Sequence, residues 1–160
     1  MACNHTIHKH DHHLGWDNAL DPVLSVTPGE TIVVETIDAS GGQLHPKAQV
    51  SDLAALDFDC VNPVTGPVYV DGAEPDDAVA ITIRAFHPLG WGWTANIPGF
   101  GLLADDFLNP ALHIWDYDAS LSKPAAFAPM GQVALKPFVG PIGLALAEPG
   151  RHGVVPPRRV

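Results

Sequence analysis

Fifteen glycines and sixteen prolines punctuate the 160-residue chain. Proline lacks a backbone donor and clashes with the preceding helical turn, and glycine loses the most entropy on entering a helix. Together they leave few intervals in which a long helix could run. The constraint is sharpest from Ala85 to Ala104, the longest stretch without Asp, Glu, Lys or Arg. It contains Pro88, Gly90, Gly92, Pro98, Gly99 and Gly101. A continuous spanning helix there would leave backbone groups unpaired, so no transmembrane segment is expected.

Short β-strands joined by turns fit these intervals. Thr31–Ile37 is rich in β-branched residues and reads as a strand. Pro28-Gly29 marks a tight turn before it, with Val23–Val26 as the expected hairpin partner. Ala78–Phe86 alternates, with Val79, Ile81, Ile83 and Ala85 on one face, so a half-buried strand is expected. Pro75-Asp76-Asp77 repeats the turn–acid–strand order of Pro28-Gly29-Glu30, an echo that common turn chemistry explains. Further strands are expected at Pro67–Val70, Ala111–Tyr117, Gln132–Leu135 and Ile142–Leu146. Ser51–Leu56 is the one helical signal, one or two turns with Ser51 as N-cap. The expected fold is mainly β, a sandwich or jelly-roll-like single domain over residues 1–160 with short or no helices.

Composition supports a packed chain. Hydrophobic residues make up 46% and charged residues only 16%, against about 25% charged in an average domain. Disorder needs the opposite balance. The net charge is −10, and the fifteen acids of residues 21–120 face only Lys47 and Arg84. An acidic body repels phosphate backbones, so nucleic acid is not an expected partner, and neither is a membrane. The basic end, Arg151, Arg158 and Arg159, reads as an exposed tail or an intrachain pairing surface. Cys3 and Cys60 are too few for a disulfide framework and have no CxxC spacing. With no apolar signal-peptide segment visible, free thiols and a cytoplasmic location are expected.

Several side chains could carry chemistry. His5, His8, His10, His12 and His13 crowd the N-terminus, and in an extended strand His8, His10 and His12 would share one face. That is a metal-clamp spacing, set against the more ordinary reading of solvent-exposed histidines. Asp105-Asp106 is a pair of adjacent carboxylates that would repel unless a cation or a shifted pKa relieved them, or unless they point apart. Ser40, in the glycine-rich turn Asp38–Gln43, is a nucleophile or oxyanion donor if exposed, and more ordinarily a turn former. No G-x-S-x-G elbow, Walker A motif or dinucleotide fingerprint is present. Trp91 and Trp93 before the apolar loop Pro98–Leu103 could floor a small-ligand pocket or be plain core aromatics.

Several segments resemble one family in order and spacing. They are His13-Leu14-Gly15-Trp16-Asp17-Asn18, Asp38-Ala39-Ser40-Gly41-Gly42-Gln43 and Val61 through Pro75. Ile97 through Phe107, His113-Ile114-Trp115-Asp116, Pro137 through Gly143 and Ala147-Glu148-Pro149-Gly150 follow, leading into Pro156-Pro157-Arg158-Arg159. The chain thereby resembles the N-terminal portion of the acetamidase/formamidase family. The resemblance implies a mainly β fold, oligomers, divalent metal in some members, and hydrolysis of short linear amides such as formamide and acetamide to ammonia and a carboxylate. Family members are about twice as long or more, which implies a chain incomplete or inactive alone.

Two alternatives stand beside this reading: one half of a split amidase, and a non-catalytic β-domain that binds metal or a small ligand. Expected partners are a small amide substrate and either a homo-oligomer or a missing C-terminal half. Residue chemistry then nominates Glu148 as acid or base, and His13 and Asp38 as base or as ligands for Zn²⁺ or Ca²⁺. Gln43 and Asn62 are nominated as hydrogen-bond donors to the substrate carbonyl. Asp76 stands where the family usually has glycine.

Overall fold

The computed structural model describes residues 5–154. It is mainly β, with ten short strands and two short 3-10 helices. The strands pair as five two-stranded sheets. The described chain divides into two compact units. The first comprises residues 5–42, 57–82 and 139–154, and the second comprises Gln43–Leu56 and Ile83–Phe138.

In the first unit, β1 (His5–Ile7) runs parallel to β4 (Ile32–Val34), with His5 opposite Ile32 and Ile7 opposite Val34. β2 (His12–His13) is antiparallel to β5 (Val64–Thr65). β3 (Leu24–Val26) is parallel to β6 (Val68–Val70). The expected hairpin between Val23–Val26 and Thr31–Ile37 is therefore not formed, although its turn is. Glu30 N–H donates to Thr27 O at 3.1 Å, and Thr27 N–H donates to the Glu30 carboxylate at 2.7 Å. A turn fixes only a local reversal; the partner is decided by which edge offers a matching row of donors and acceptors. β4 continues onto β1 through Glu35 N–H to Ile7 O at 2.9 Å, and β3 onto β6 through Asp71 N–H to Val26 O at 2.8 Å.

The echo at residues 74–77 uses the same turn chemistry. Asp77 N–H donates to Glu74 O at 3.0 Å, and Glu74 N–H to the Asp77 carboxylate at 2.9 Å. Gly29 and Asp76 occupy the same place in the two turns, with φ of 97° and 75°. Only the first has the residue that this conformation favours.

The second unit is organised by β7 (Trp91–Asn96) and β8 (Ala111–Asp116). They are antiparallel in full register, from Trp91 opposite Asp116 to Asn96 opposite Ala111. Alternation sends Trp93 and Ala95, with Leu112 and Ile114, onto a cluster of buried Leu44, Ala48 and Leu53. On β8, His113 instead meets Phe127 of β9 (Ala125–Phe127) edge-on and Trp115 stacks on it, ring centroids 4.8 and 5.3 Å away. β9 is paired antiparallel with β10 (Gly131–Val133). Asn96 closes the β7–β8 connection, its amide donating to Phe107 O at 3.0 Å and Asn109 O at 2.6 Å. The expected helical turn is a 3-10 helix, Val50–Ala55, whose N-cap is Gln49 rather than Ser51. Asp52 anchors it by accepting the Gln49 N–H at 2.8 Å.

Two expected strands are absent. Residues 78–86 and 142–146 carry no strand, although both have the alternating or apolar pattern. A period-two pattern becomes a strand only where an edge receives it, and no described strand pairs with either segment. Their apolar residues are correspondingly exposed, Ile81 and Leu144 among them.

Candidate functional site

The site begins with β2. The histidine run is not one strand: β1 ends at Ile7, and a turn over residues 9–11 precedes His12–His13. His8, His10 and His12 therefore do not share a strand face. His8 Nδ1 lies 3.2 Å from the Glu35 carboxylate and stacks on the His10 ring at 5.5 Å. Lys9 N–H, foremost, and His8 hydrogen-bond that carboxylate and hold its pKa below the usual value.

After His13 the chain runs beside Arg151 and His152. Trp16 N–H donates to His152 O and His152 N–H returns to Trp16 O, each at 2.8 Å. The Arg151 guanidinium donates twice to Leu14 O, through Nε at 3.1 Å and Nη2 at 2.8 Å. Gly15 lets this happen. A Cβ there would meet Arg151 Cγ at 2.5 Å and His152 O at 2.9 Å. Trp16 is 5% exposed, and a Cβ on Gly143 would meet its ring at 3.0 Å. Arg151 is thus an intrachain clasp, one of the two readings of the basic end. Arg158 and Arg159 lie outside the described residues.

The clasp borders a cleft of about 250 Å³ lined by His12, His13, Leu14, Asp17, Leu20 and Arg151. His13 is half-buried there. Its Nδ1–H donates to Gly15 O at 2.6 Å, and its ring meets Trp16 edge-on at 6.1 Å.

Asp38 is half-buried at the head of a glycine-rich turn. Its Oδ1 accepts Ser40 N–H at 2.9 Å and Ser40 Oγ–H at 2.5 Å, and its Oδ2 accepts Gly42 N–H at 3.2 Å. Ser40 is 0% exposed. It is a turn former, with no exposed hydroxyl to act as a nucleophile. Asn62, at φ 53°, donates its backbone N–H to Ala39 O at 2.9 Å, which ties it to the Asp38 turn. Two residues later Val64 pairs with His13. Glu148 is exposed, and it is its carbonyl, not its carboxylate, that meets His152 Nε2, at 3.1 Å. Register and clasp thus tie Asp38, Asn62, His13 and Glu148 into the first unit through backbone links. Gln43 is half-buried in the second unit.

Among the described residues no three His, Cys, Asp or Glu side chains converge as a metal-ion group. Asp105 and Asp106 are both exposed in a turn. The Pro98–Leu103 loop turns outward, with Leu102 fully exposed, while Trp93 packs into the core. Cys60 is a free, exposed thiol whose S–H donates to Asp57 Oδ2 at 3.2 Å, a bond that raises its pKa. Cys3 lies outside the described residues. No described helix is long and apolar enough to cross a membrane. Among the cleft residues, sequence reasoning missed Leu20, the role of Gly15 and the identity of the group that Arg151 pairs with. The glycine beside a basic residue more than a hundred positions away leaves no local pattern to find.

The profile of the Acetamidase/Formamidase family matches residues 2–150. The formamidase of Methylophilus methylotrophus is 32% identical over 111 residues, which are 66% of this chain and 27% of that protein. The acetamidase of Mycolicibacterium smegmatis is 26% identical over 118 residues, or 66% of this chain and 29% of that one. A solved structure of a predicted acetamidase/formamidase from Thermoanaerobacter tengcongensis superposes with a TM-score of 0.82 at 26% identity. It covers 93% of this chain and 48% of its own. The chain belongs to the acetamidase/formamidase family, and it spans less than half the length of these relatives.

Proposed function

We propose that this chain takes part in hydrolysis of short linear amides, formamide and acetamide, to ammonia and a carboxylate. The observation that carries this reading is the family match along residues 2–150, with relatives named as formamidase and acetamidase. The reaction needs a base for water, a polarised carbonyl and a proton for the leaving nitrogen. In this proposal His13 is the base. Glu148, exposed on its loop, is the acid for ammonia. Asn62 hydrogen-bonds the substrate carbonyl, and Gln43, which belongs to the second unit, is given no part in that contact. Asp38 is a fixed negative charge whose oxygens its own turn already engages.

Zn²⁺ or Ca²⁺ at His13 and Asp38 is a less complete fit. No group of three His, Cys, Asp or Glu side chains forms around either of them among the described residues, so no step is routed through a metal. The remaining site groups come from the length that the relatives carry beyond the match.

Ammonia release from both amides tests this, using the chain alone and mixed with the remaining portion of the Thermoanaerobacter relative. No turnover alone and clear turnover in the mixture is the expected result. Glu148→Gln should then lower turnover by about 100-fold or more. Turnover by the chain alone, above a heat-denatured control, would show that these residues suffice. Full activity of Glu148→Gln would remove that residue from the site, and a silent mixture would remove the hydrolase reading.

A further inference from the structure

We infer that Arg151 and Gly15 are positioning residues that lock His13, a residue lining the cleft, in one tautomer, with its lone pair on Nε2. The functional use of that lone pair rests on the hydrolase reading above; the lock itself does not.

A backbone carbonyl only accepts hydrogen bonds. The 2.6 Å contact between His13 Nδ1 and Gly15 O therefore requires the proton on Nδ1. In the neutral ring this leaves Nε2 unprotonated, the form that can take a proton or meet a donor. Two other histidines also bond carbonyls: His12 Nδ1 to Lys9 O at 2.9 Å, and His152 Nε2 to Glu148 O at 3.1 Å. His13 differs in what holds its carbonyl.

Gly15 is flanked on both sides by fixed peptide groups. Leu14 O takes two bonds from Arg151, and Trp16 exchanges two with His152. The Arg151 stem lies so close to Gly15 that a Cβ would be 2.5 Å from it. The His13 ring rests against the edge of Trp16, and Trp16 is itself packed on Gly143. The ring is thus fixed from two directions, and Arg151 acts on it only through the backbone. Outer partners of this kind orient a catalytic imidazole and set its basicity.

The chemistry follows from the tautomer. Nε2 takes a proton from water as the water oxygen bonds the amide carbon. The Nδ1–H bond to Gly15 O persists in the imidazolium, Glu148 protonates the departing nitrogen as the C–N bond breaks, and the imidazolium proton then returns through solvent to the Glu148 carboxylate. Before reaction the same lone pair suits an N–H or O–H donor, and so a primary amide or water.

The test reads the tautomer directly. The full chain is labelled with ¹⁵N-histidine, and two-bond ¹H–¹⁵N correlations are recorded at alkaline pH, where neutral imidazole dominates. His13 is assigned by loss of its signals in His13→Gln. The expected result is a pyrrole-type Nδ1 and a pyridine-type Nε2 for His13, with both nitrogens moving toward averaged shifts in Arg151→Ala. Arg151→Lys keeps the cation and most of the stem but lacks the two-pronged donor. It should give the same averaging, and it carries the test if Arg151→Ala unfolds.

A protonated Nε2 in the unaltered chain would overturn the lock. An unchanged His13 signature in a folded Arg151→Lys would overturn the role of Arg151. Where the mixture described above is active, Arg151→Lys should lower kcat on the order of 10-fold with KM little changed. A fall in KM-dependent binding alone would contradict the positioning role. Absence of turnover would sink the hydrolase reading while the tautomer result stood by itself.

Discussion

The two units hold themselves together by different means. The second closes on carbon: buried Leu44, Ala48 and Leu53 meet alternate residues of a six-residue antiparallel pair. The first closes on polar backbone groups, with two three-residue parallel pairs, a two-residue antiparallel pair and the Arg151 clasp on Leu14. An apolar core tolerates small shifts of register and loses stability in proportion to the volume removed. A hydrogen-bonded clasp is sensitive to direction, and one atom in the wrong place disables it. The half that bears His13, Asp38 and Asn62 is built in the second way. Fixed direction is what a site needs, and the first unit supplies it through backbone links, with Ile7, Trp16 and Val154 buried beside them.

Substitutions sharpen this contrast. The largest effect belongs to the carbon-built unit. Leu53→Ala, in a residue 4% exposed, should cost about 3 kcal/mol in urea unfolding. A loss below about 1 kcal/mol would mean that the cluster is not the support it looks to be. Next is Gly15→Ala, which adds one methyl against Arg151 Cγ at 2.5 Å and His152 O at 2.9 Å. We expect about 2 kcal/mol of destabilisation, with faster amide exchange at Trp16 and His152 in particular. Unchanged exchange there would show a clasp with slack. The smallest effect is a gain. Asp76→Gly relieves a side chain at φ 75° and should stabilise by about 0.5–1 kcal/mol, read as a raised Tm. A fall in Tm would mean that the Asp76 side chain makes up for its backbone.

The same contrast explains what the sequence revealed. β8 was legible over Ala111–Asp116 because its alternation is cashed in against a local partner fifteen to twenty-five residues away. β6 was legible, and so were the turns at Pro28-Gly29 and Pro75-Asp76, because turn chemistry is local. The glycine that the resemblance leads one to expect at position 76 would have a physical reason here, since the turn holds positive φ. Pairing was less legible. β-branched Ile32–Val34 names a strand but not a partner, and the true partner was a histidine-bearing segment that read as solvent-exposed. Residues 78–86 had the pattern and no edge to join. In the site, His13 was nominated as ligand or base on residue chemistry alone, while the groups that orient it, Gly15 and Arg151, are ordinary residues in sequence and special only in proximity.

That proximity has a cost in time. The Arg151 clasp on Leu14 joins residues 137 apart in sequence. Closing a loop of that length carries an entropic cost of about 4 kcal/mol, and it cannot be met until Arg151 has left the ribosome. Every residue of the second unit lies between them in the chain. Synthesis order therefore gives the carbon-built unit a head start, and His13, made before that unit, waits until after it for the residue that fixes its ring.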